Sequence, residues 1–275
     1  MKKNLTLFTA LILFASIASA QNYLEIPALH PDESIYMTTY MEQNNDMVRS
    51  FTYRYDPSLR IALWVAYPLN AGLIGNGSRG EGWLPDPNIP EKTQAVLYKG
   101  FKYGSGYDRG HQIPSADRLN PDANAQTFRF TNATPQLHDF NGGVWAELEK
   151  LVRTWAKRSD TLYVVTGCRP GNGHISDNAG NPVNIPSAYY KVLLRRNKTR
   201  SGRIEWSACA IVLPHKVFPV GTWKENVALF KSYSLPVSDV EKLTDENFFP
   251  LLSKYLSPSE IASLKDSPAD PWWWK

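Results

Sequence analysis

The chain has 275 residues, of which 43% are hydrophobic and 20% charged, with a formal net charge of +4. That composition excludes a disordered chain and leaves room for one large core or two small ones. Subtracting Lys2 and Lys3, which fall in the leader described next, leaves 4 − 2 = +2; so small an excess does not by itself mark a nucleic-acid binder.

Taken in chain order, "MKKNLTLFTALILFASIASAQ" comes first. Two lysines, an apolar run from Leu5 to Ile17 and the small residues Ala18-Ser19-Ala20 read as a secretory signal peptide over residues 1–20. No Cys follows the cleavage site, which argues against a lipid anchor. No later run offers the roughly 18 apolar residues of a membrane span. The expected mature chain starts at Gln21 and is exported, to a periplasm or to the exterior. Residues 21–50 are mixed and polar and read as an irregular arm with a short helix. "RIALWVAYPL", Arg60 to Leu69, reads as a buried strand. Residues 70–106 are rich in Gly, Pro and Asn, which is loop chemistry; a long loop often carries function.

"YDRGHQIPSADR", Tyr107 to Arg118, packs polar groups more densely than a buried strand needs. Arg109 and His111 are two residues apart, so in extended chain they share a side. A fixed cation beside an imidazole suits an anionic substrate that must also exchange a proton. "TFRFTNATPQ", Thr127 to Gln136, reads as a short strand ending in a turn. In "GGVWAELEKLVRTWAKR", the residues Val144, Trp145, Leu148, Leu151, Val152 and Trp155 fall at helical spacing. "TLYVVTG", "AYYKVLLRR" and "IEWSACAIVLP" read as strands, with "RNKTRSGR" as a basic hairpin tip between the last two. Short helical pieces and "DPWWWK" end the chain. The fold class is α+β with a mainly antiparallel sheet. No linker divides the pattern, so a single domain over 21–275 is expected. Cys168 and Cys209 both lie in strand-like runs. An oxidising compartment permits a bridge, and two buried thiols are the other reading.

Three segments combine into a candidate site: Asp108-Arg109-Gly110-His111, then Asn141, then Glu149. If one regular helix ran through Asn141 and Glu149, they would stand about 12 Å apart along the axis and about 80° around it. They can then bracket one hydrated cation, with Asn141 as direct ligand and Glu149 acting through metal-bound water.

"DRGHQIPSAD", "TNATPQ" and "NGGVWAELE", in this order and spacing, resemble the successive motifs of the DNA/RNA non-specific endonucleases, the sugar-non-specific nucleases related to mitochondrial endonuclease G. The likeness extends over roughly Leu59 to Pro250. It implies a ββα-metal core within a larger antiparallel sheet flanked by helices. It further implies His111 as general base, Asn141 as metal ligand and Glu149 as organiser of the metal's water shell. Arg60 and Arg109 become phosphate-facing, while Asn132 and Gln136 support the site by hydrogen bonding. Asp108 braces the turn. Thr131 stands where the family usually has Ser, and His215 where it often has Asn. The cofactor implied is Mg²⁺, with Mn²⁺ or Ca²⁺ as alternatives. The partners implied are DNA and RNA, and the products carry 5′-phosphate and 3′-hydroxyl ends.

The chemistry is coherent without the likeness. An imidazole takes a proton near neutral pH. Mg²⁺ keeps several waters and needs few protein ligands. Arginine donates charge-assisted hydrogen bonds to phosphate oxygens, and such contacts carry little base information. Plainer readings stand beside it: Asn141 as a helix cap, Glu149 as a solvated helix residue, Arg60 as the partner of a carboxylate, Asp117 with Arg118 as a local loop pair, and His138 as an exposed loop histidine. Two functional rivals also remain, a narrower phosphodiesterase or nucleotide pyrophosphatase on the same scaffold, and a secreted nucleic-acid binder without turnover.

Overall fold

Runs of alternating large side chains form the frame. In the computed structural model, which describes residues 23–98 and 106–275, eleven strands and six α-helices are seen. The strands are β1 (Ile35–Gln43), β2 (Asp46–Asp56), β3 (Ile61–Leu69), β4 (Tyr107–His111), β5 (Ala133–Leu137), β6 (Thr161–Arg169), β7 (Gly173–Ser176), β8 (Pro182–Ile185), β9 (Ala188–Lys198), β10 (Ile204–Pro214) and β11 (Ser234–Leu235). The helices are α1 (Ala71–Ile74), α2 (Pro121–Thr127), α3 (Ala146–Lys157), α4 (Trp223–Ser232), α5 (Val237–Thr244) and α6 (Pro258–Asp266). The expected leader, residues 1–20, lies outside the described residues. No described helix is long and apolar enough to cross a membrane.

Seven strands form one sheet in the order β1-β2-β3-β6-β9-β10-β11, every neighbouring pair antiparallel. Its central strands read as nearly continuous apolar runs because both faces are covered. On the front face Val65, Tyr67, Leu162, Val164, Leu193 and Ile211 pack with Trp145, Leu148, Val152 and Trp155 around helix α3. On the back, Trp64, Ala66, Val165, Val192, Leu194 and Ala210 meet Val237, Val240, Phe248 and Leu252. Strands β4 and β5 pair antiparallel in a separate hairpin, from Tyr107 opposite Leu137 to His111 opposite Ala133. Helix α3 follows through the turn Phe140–Trp145 and completes a ββα unit on the front face. The expected α+β class and ββα core are both present.

Several local expectations change. Residues 35–56 are not an irregular arm with a helix but the β1–β2 hairpin. Asn44 and Asn45 turn it with φ of 53° and 67°, the left-handed pair that a two-residue hairpin turn requires. Phe51, Tyr53 and Tyr55 then bury on one side of β2. The segment 127–136 is the end of α2 and a 3₁₀ turn before β5 begins at Ala133. Cys168 and Cys209 are free and buried. Cys168 stands opposite Tyr189 and Cys209 opposite Leu193, four residues further along β9; that offset is too long for a bridge. The C-terminal tryptophans cover core: Trp273 is fully buried, edge-on to Trp155, whose Nε1 donates to the Trp273 carbonyl at 2.8 Å.

Candidate active site

The period-2 geometry of β4 places Arg109 and His111 on one side, and both pack against Trp83. The His111 ring lies 4.6 Å from the Trp83 ring, and the Arg109 guanidinium lies 5.5 Å from the same ring. Phe128 closes the other flank of the imidazole, edge-on at 4.9 Å. His111 is buried, and its Nε2 has no hydrogen-bond partner among the described residues. Burial first, then the charges of Arg79 and Arg109, push its pKa down to about 3. Arg109 donates to the carbonyls of Leu97 and Tyr98 at 3.0 and 2.9 Å, which fixes its charge beside the ring.

Gly110 between them leaves room for the buried Gln136 side chain. A Cβ there would lie 2.2 Å from Cδ of Gln136, whose side chain fills the space beneath the strand. Gln136 is wholly buried, and neither of its amide atoms is paired among the described residues. Asn132 braces the chain just beyond His111: its Oδ1 accepts from Ile113 N–H at 2.9 Å, and its Nδ2 donates to the carbonyls of Ile113 and Thr127.

Asn141 sits in the wide helical turn Phe140–Trp145 that precedes helix α3. Gly143, at φ −98° and ψ −113°, departs from helical angles, so a regular helix does not run from Asn141 to Glu149. The helix takes no side-chain cap from Asn141. Instead Asn141 Nδ2 donates to Asp108 Oδ2 at 3.1 Å. This turns its carbonyl oxygen away from the carboxylate, and that oxygen has no partner among the described residues. The same Asp108 oxygen meets His138 Nδ1 at 2.9 Å, and the His138 side chain is otherwise exposed.

Glu149, half-buried on α3, accepts no hydrogen bond from a described residue. Burial pushes its carboxyl up; the nearby Lys191 ammonium pulls it back, Asp117 pushes it further up, and Arg153 and Arg79 pull it down. Lys191 is wholly buried beneath α3, donating to Thr166 Oγ1 at 2.7 Å with its ammonium 4.9 Å from the Trp145 ring. Arg153 pairs with Asp117 at 2.9 Å, and Asp117 also accepts from Tyr67. The Asp117 carboxylate is therefore tied to helix α3 and not to its neighbour in a local pair. Arg118 is separately buried, donating to the carbonyls of Ser50, Pro68 and Asp117.

Arg60 is placed differently from the expectation. It lies in the β2–β3 turn at φ 56°, and its guanidinium donates to the carbonyls of Lys92 and Gln94. The arginine charges that act on His111 are those of Arg79 and Arg109. Arg79, exposed in the loop after α1, also acts on Glu149, so it links the two ends of the site. Nothing local in "NGSRGEGW" marks it. Lys191 and Arg153 left better traces: a lysine inside an apolar strand run, and a basic residue four positions after Glu149 on one helix face. Among the described residues no group of three or more His, Cys, Asp or Glu is poised around a metal. What the site offers is the Asn141 carboxamide oxygen and the Glu149 carboxylate, with the Asp108 carboxylate engaged by Asn141 and His138.

Comparison with known proteins follows the same lines. Residues 33–254 match the profile of the family described as DNA/RNA non-specific endonuclease. A nuclease from Nostoc sp. is 30% identical over 228 residues, covering 81% of this chain and 79% of that protein. The mitochondrial nuclease EXOG of Xenopus laevis is 30% identical over 212 residues, covering 73% of this chain and 56% of that protein. Human mitochondrial EXOG is 29% identical over 226 residues, covering 76% and 58%. The chain thus spans little more than half the length of these mitochondrial relatives. A chain from a crystal structure of the EndoG/EndoGI complex superposes with a TM-score of 0.59 at 21% identity, covering 85% of this chain and 91% of that one. At that identity the likeness speaks for the fold.

Proposed function

Since the chain belongs to the DNA/RNA non-specific endonuclease family, we propose that it is an exported, divalent-metal-dependent endonuclease that hydrolyses phosphodiester bonds of DNA and RNA with little sequence preference. The observation that carries the reading is the state of His111. It is buried between Trp83 and Phe128, neutral at physiological pH, and has Nε2 unpartnered beside two arginine charges. In this role the imidazole accepts the proton of the attacking water. A pKa near 3 would make it a weak base, but part of that depression comes from Arg79 and Arg109. A phosphate anion seated against those guanidiniums cancels their charge, so the base strengthens as substrate arrives. Gly110 and Asn132 hold the strand end that carries the ring.

The donor set fits a hard cation. Asn141 presents a carbonyl oxygen because Asp108 takes its amide N–H, and the Glu149 carboxylate has no protein hydrogen bond. Asn141 would hold the ion directly and Glu149 through a water of its shell. Few protein ligands, all oxygen, suit Mg²⁺, with Mn²⁺ or Ca²⁺ as alternatives. When bound, such an ion stabilises negative charge on the phosphate and the leaving oxygen. In this reading the groups that would face the phosphate are charges and a base rather than base-reading side chains, which supports low sequence preference.

Export, to a periplasm or the exterior, rests on the leader-like residues 1–20, and N-terminal sequencing of the exported protein should begin at Gln21. The activity is tested by incubating plasmid and RNA with wild type plus Mg²⁺, with wild type plus EDTA, and with His111→Ala plus Mg²⁺. Cleavage of both polymers in the first tube alone is expected. Equal cleavage in all three would sink the mechanism.

A further inference from the structure

We propose that His215 is a positioning residue for the turn that carries Asn141, and that it acts only as the neutral, Nδ1-protonated imidazole. His215 lies just beyond β10. Its Nε2 faces the backbone N–H of Leu137 at 2.8 Å, and its Nδ1 faces the carbonyl of Pro186 at 2.8 Å. A backbone amide only donates and a carbonyl only accepts, so these two neighbours dictate the tautomer: Nδ1 carries the proton and Nε2 accepts. The backbone N–H of His215 donates to Ser187 at 2.9 Å, which fixes the residue that holds the ring. Leu137 is the last residue of β5, and the chain then turns through His138, Asp139 and Phe140 to Asn141. Phe140 packs its ring against His215 at 5.3 Å, with Tyr189 at 5.1 Å and Tyr107 at 6.1 Å completing the enclosure. One imidazole thus joins the end of β5, the entry to β9 and the end of β10, and sets where the Asn141 turn departs.

Protonation breaks this arrangement. With hydrogens on both nitrogens, Nε2 would point a donor at the donor of Leu137. Among the described residues, no carboxylate pairs with the ring to offset that charge. The Tyr189 hydroxyl is engaged with Thr134 and Pro135. On the hairpin beside it, Asp108 and His138 pair with each other. Lys216 turns to the Phe218 ring. Burial holds the His215 pKa below the ordinary 6.5, the hydrogen bond to Pro186 pulling the other way. The folded pKa is the lower one, so the clamp is complete above the unfolded value and is lost as pH falls through the folded one.

The test uses ¹⁵N-labelled full-length protein and three substitutions. His215→Gln reaches as far as Nε2, can accept from Leu137 and does not titrate. His215→Asn reaches only as far as Nδ1 and keeps only the donor to Pro186. His215→Phe keeps neither. In wild type, Leu137 amide exchange should accelerate, relative to its intrinsic rate, as pH falls below the ordinary imidazole value of 6.5, and the apparent Mg²⁺ half-saturation of nuclease activity should rise by about tenfold over the same interval. His215→Gln should abolish the pH dependence of Leu137 exchange and flatten that of Mg²⁺ half-saturation to the part Glu149 titration contributes, while staying within about twofold of wild type at neutral pH. His215→Asn and His215→Phe should show fast Leu137 exchange and about tenfold weaker Mg²⁺ half-saturation at every pH. The proposal is overturned if His215→Phe matches wild type, if His215→Gln keeps the wild-type pH dependence of Leu137 exchange, or if Leu137 responds in the variants while Mg²⁺ half-saturation at neutral pH does not. The activity readout rests on Asn141 as the metal tether, whereas the exchange readout does not. An unchanged metal requirement in Asn141→Ala would locate the failure in the tether instead.

Discussion

The two faces of the seven-stranded sheet differ in which polar groups they leave without a partner among the described residues: on the back an indole nitrogen, Trp64 Nε1, on the front groups that can exchange a proton or bind a ligand. On the back, the charges are matched in contact: Arg54 with Glu246 and Asp32, and Arg49 with Glu25, beside an apolar layer of Val237, Val240, Phe248 and Leu252. On the front, among the described residues, His111 Nε2 and both amide atoms of Gln136 are buried without a hydrogen-bond partner, and the half-buried Glu149 carboxylate near Lys191 accepts none. A buried polar group without a partner costs free energy. The front face tolerates that cost where a ligand can offset it, and the back face supplies the stability that permits it.

The strongest attempt to break this contrast is His111→Ala. It should lower kcat by about 10² to 10⁴, the usual worth of a general base. Its melting temperature should hold or rise, because an unpaired buried nitrogen disappears. A large fall in both would make His111 a structural residue and erase the contrast. Phe248→Ala probes the other face. Phe248 is wholly buried against Tyr190, and its truncation should cost about 3–5 kcal/mol of stability in urea titration while kcat per folded molecule stays unchanged. Glu149→Gln comes next. A group acting through the metal's water shell should cost about 10- to 100-fold in activity or metal affinity. Because burial disfavours its charge, the neutral amide should fold at least as stably.

The same contrast explains what could be read from sequence. The strands β3, β6, β9 and β10 were legible because both of their faces are covered, which leaves long apolar runs. The ββα core was legible from the motifs it carries. The β1–β2 hairpin was not, because polar residues, among them Thr38, the exposed Glu42 and the buried Arg54, interrupt the apolar period; the Asn44-Asn45 turn was the available signal. The site was legible where chemistry is local in sequence, as at Arg109 and His111. It was illegible where distant loops converge. Arg79 and Arg60 are both loop arginines, and only the fold decides which charge reaches the imidazole. The helix geometry assumed between Asn141 and Glu149 failed for a local reason, the non-helical Gly143.

The smallest expected effect is the sharpest check on that last distinction. Arg60 donates to the carbonyls of Lys92 and Gln94, which ties the β2–β3 turn to the loop that also supplies the Leu97 and Tyr98 carbonyls to Arg109. Arg60→Ala should therefore cost about 1 kcal/mol of stability, read by urea titration, with kcat and KM per folded molecule within about twofold of wild type. The backbone at Arg60 has φ 56°, a conformation glycine adopts without the Cβ penalty of about 1–2 kcal/mol. Arg60→Gly loses the same two hydrogen bonds but relieves that strain, so it should be more stable than Arg60→Ala. A loss of kcat common to both variants, with stability ordered as expected, would mean that the guanidinium reaches the phosphate during turnover. A shared loss of stability with no glycine advantage would mean that the turn, rather than the carbonyl contacts, is what Arg60 maintains.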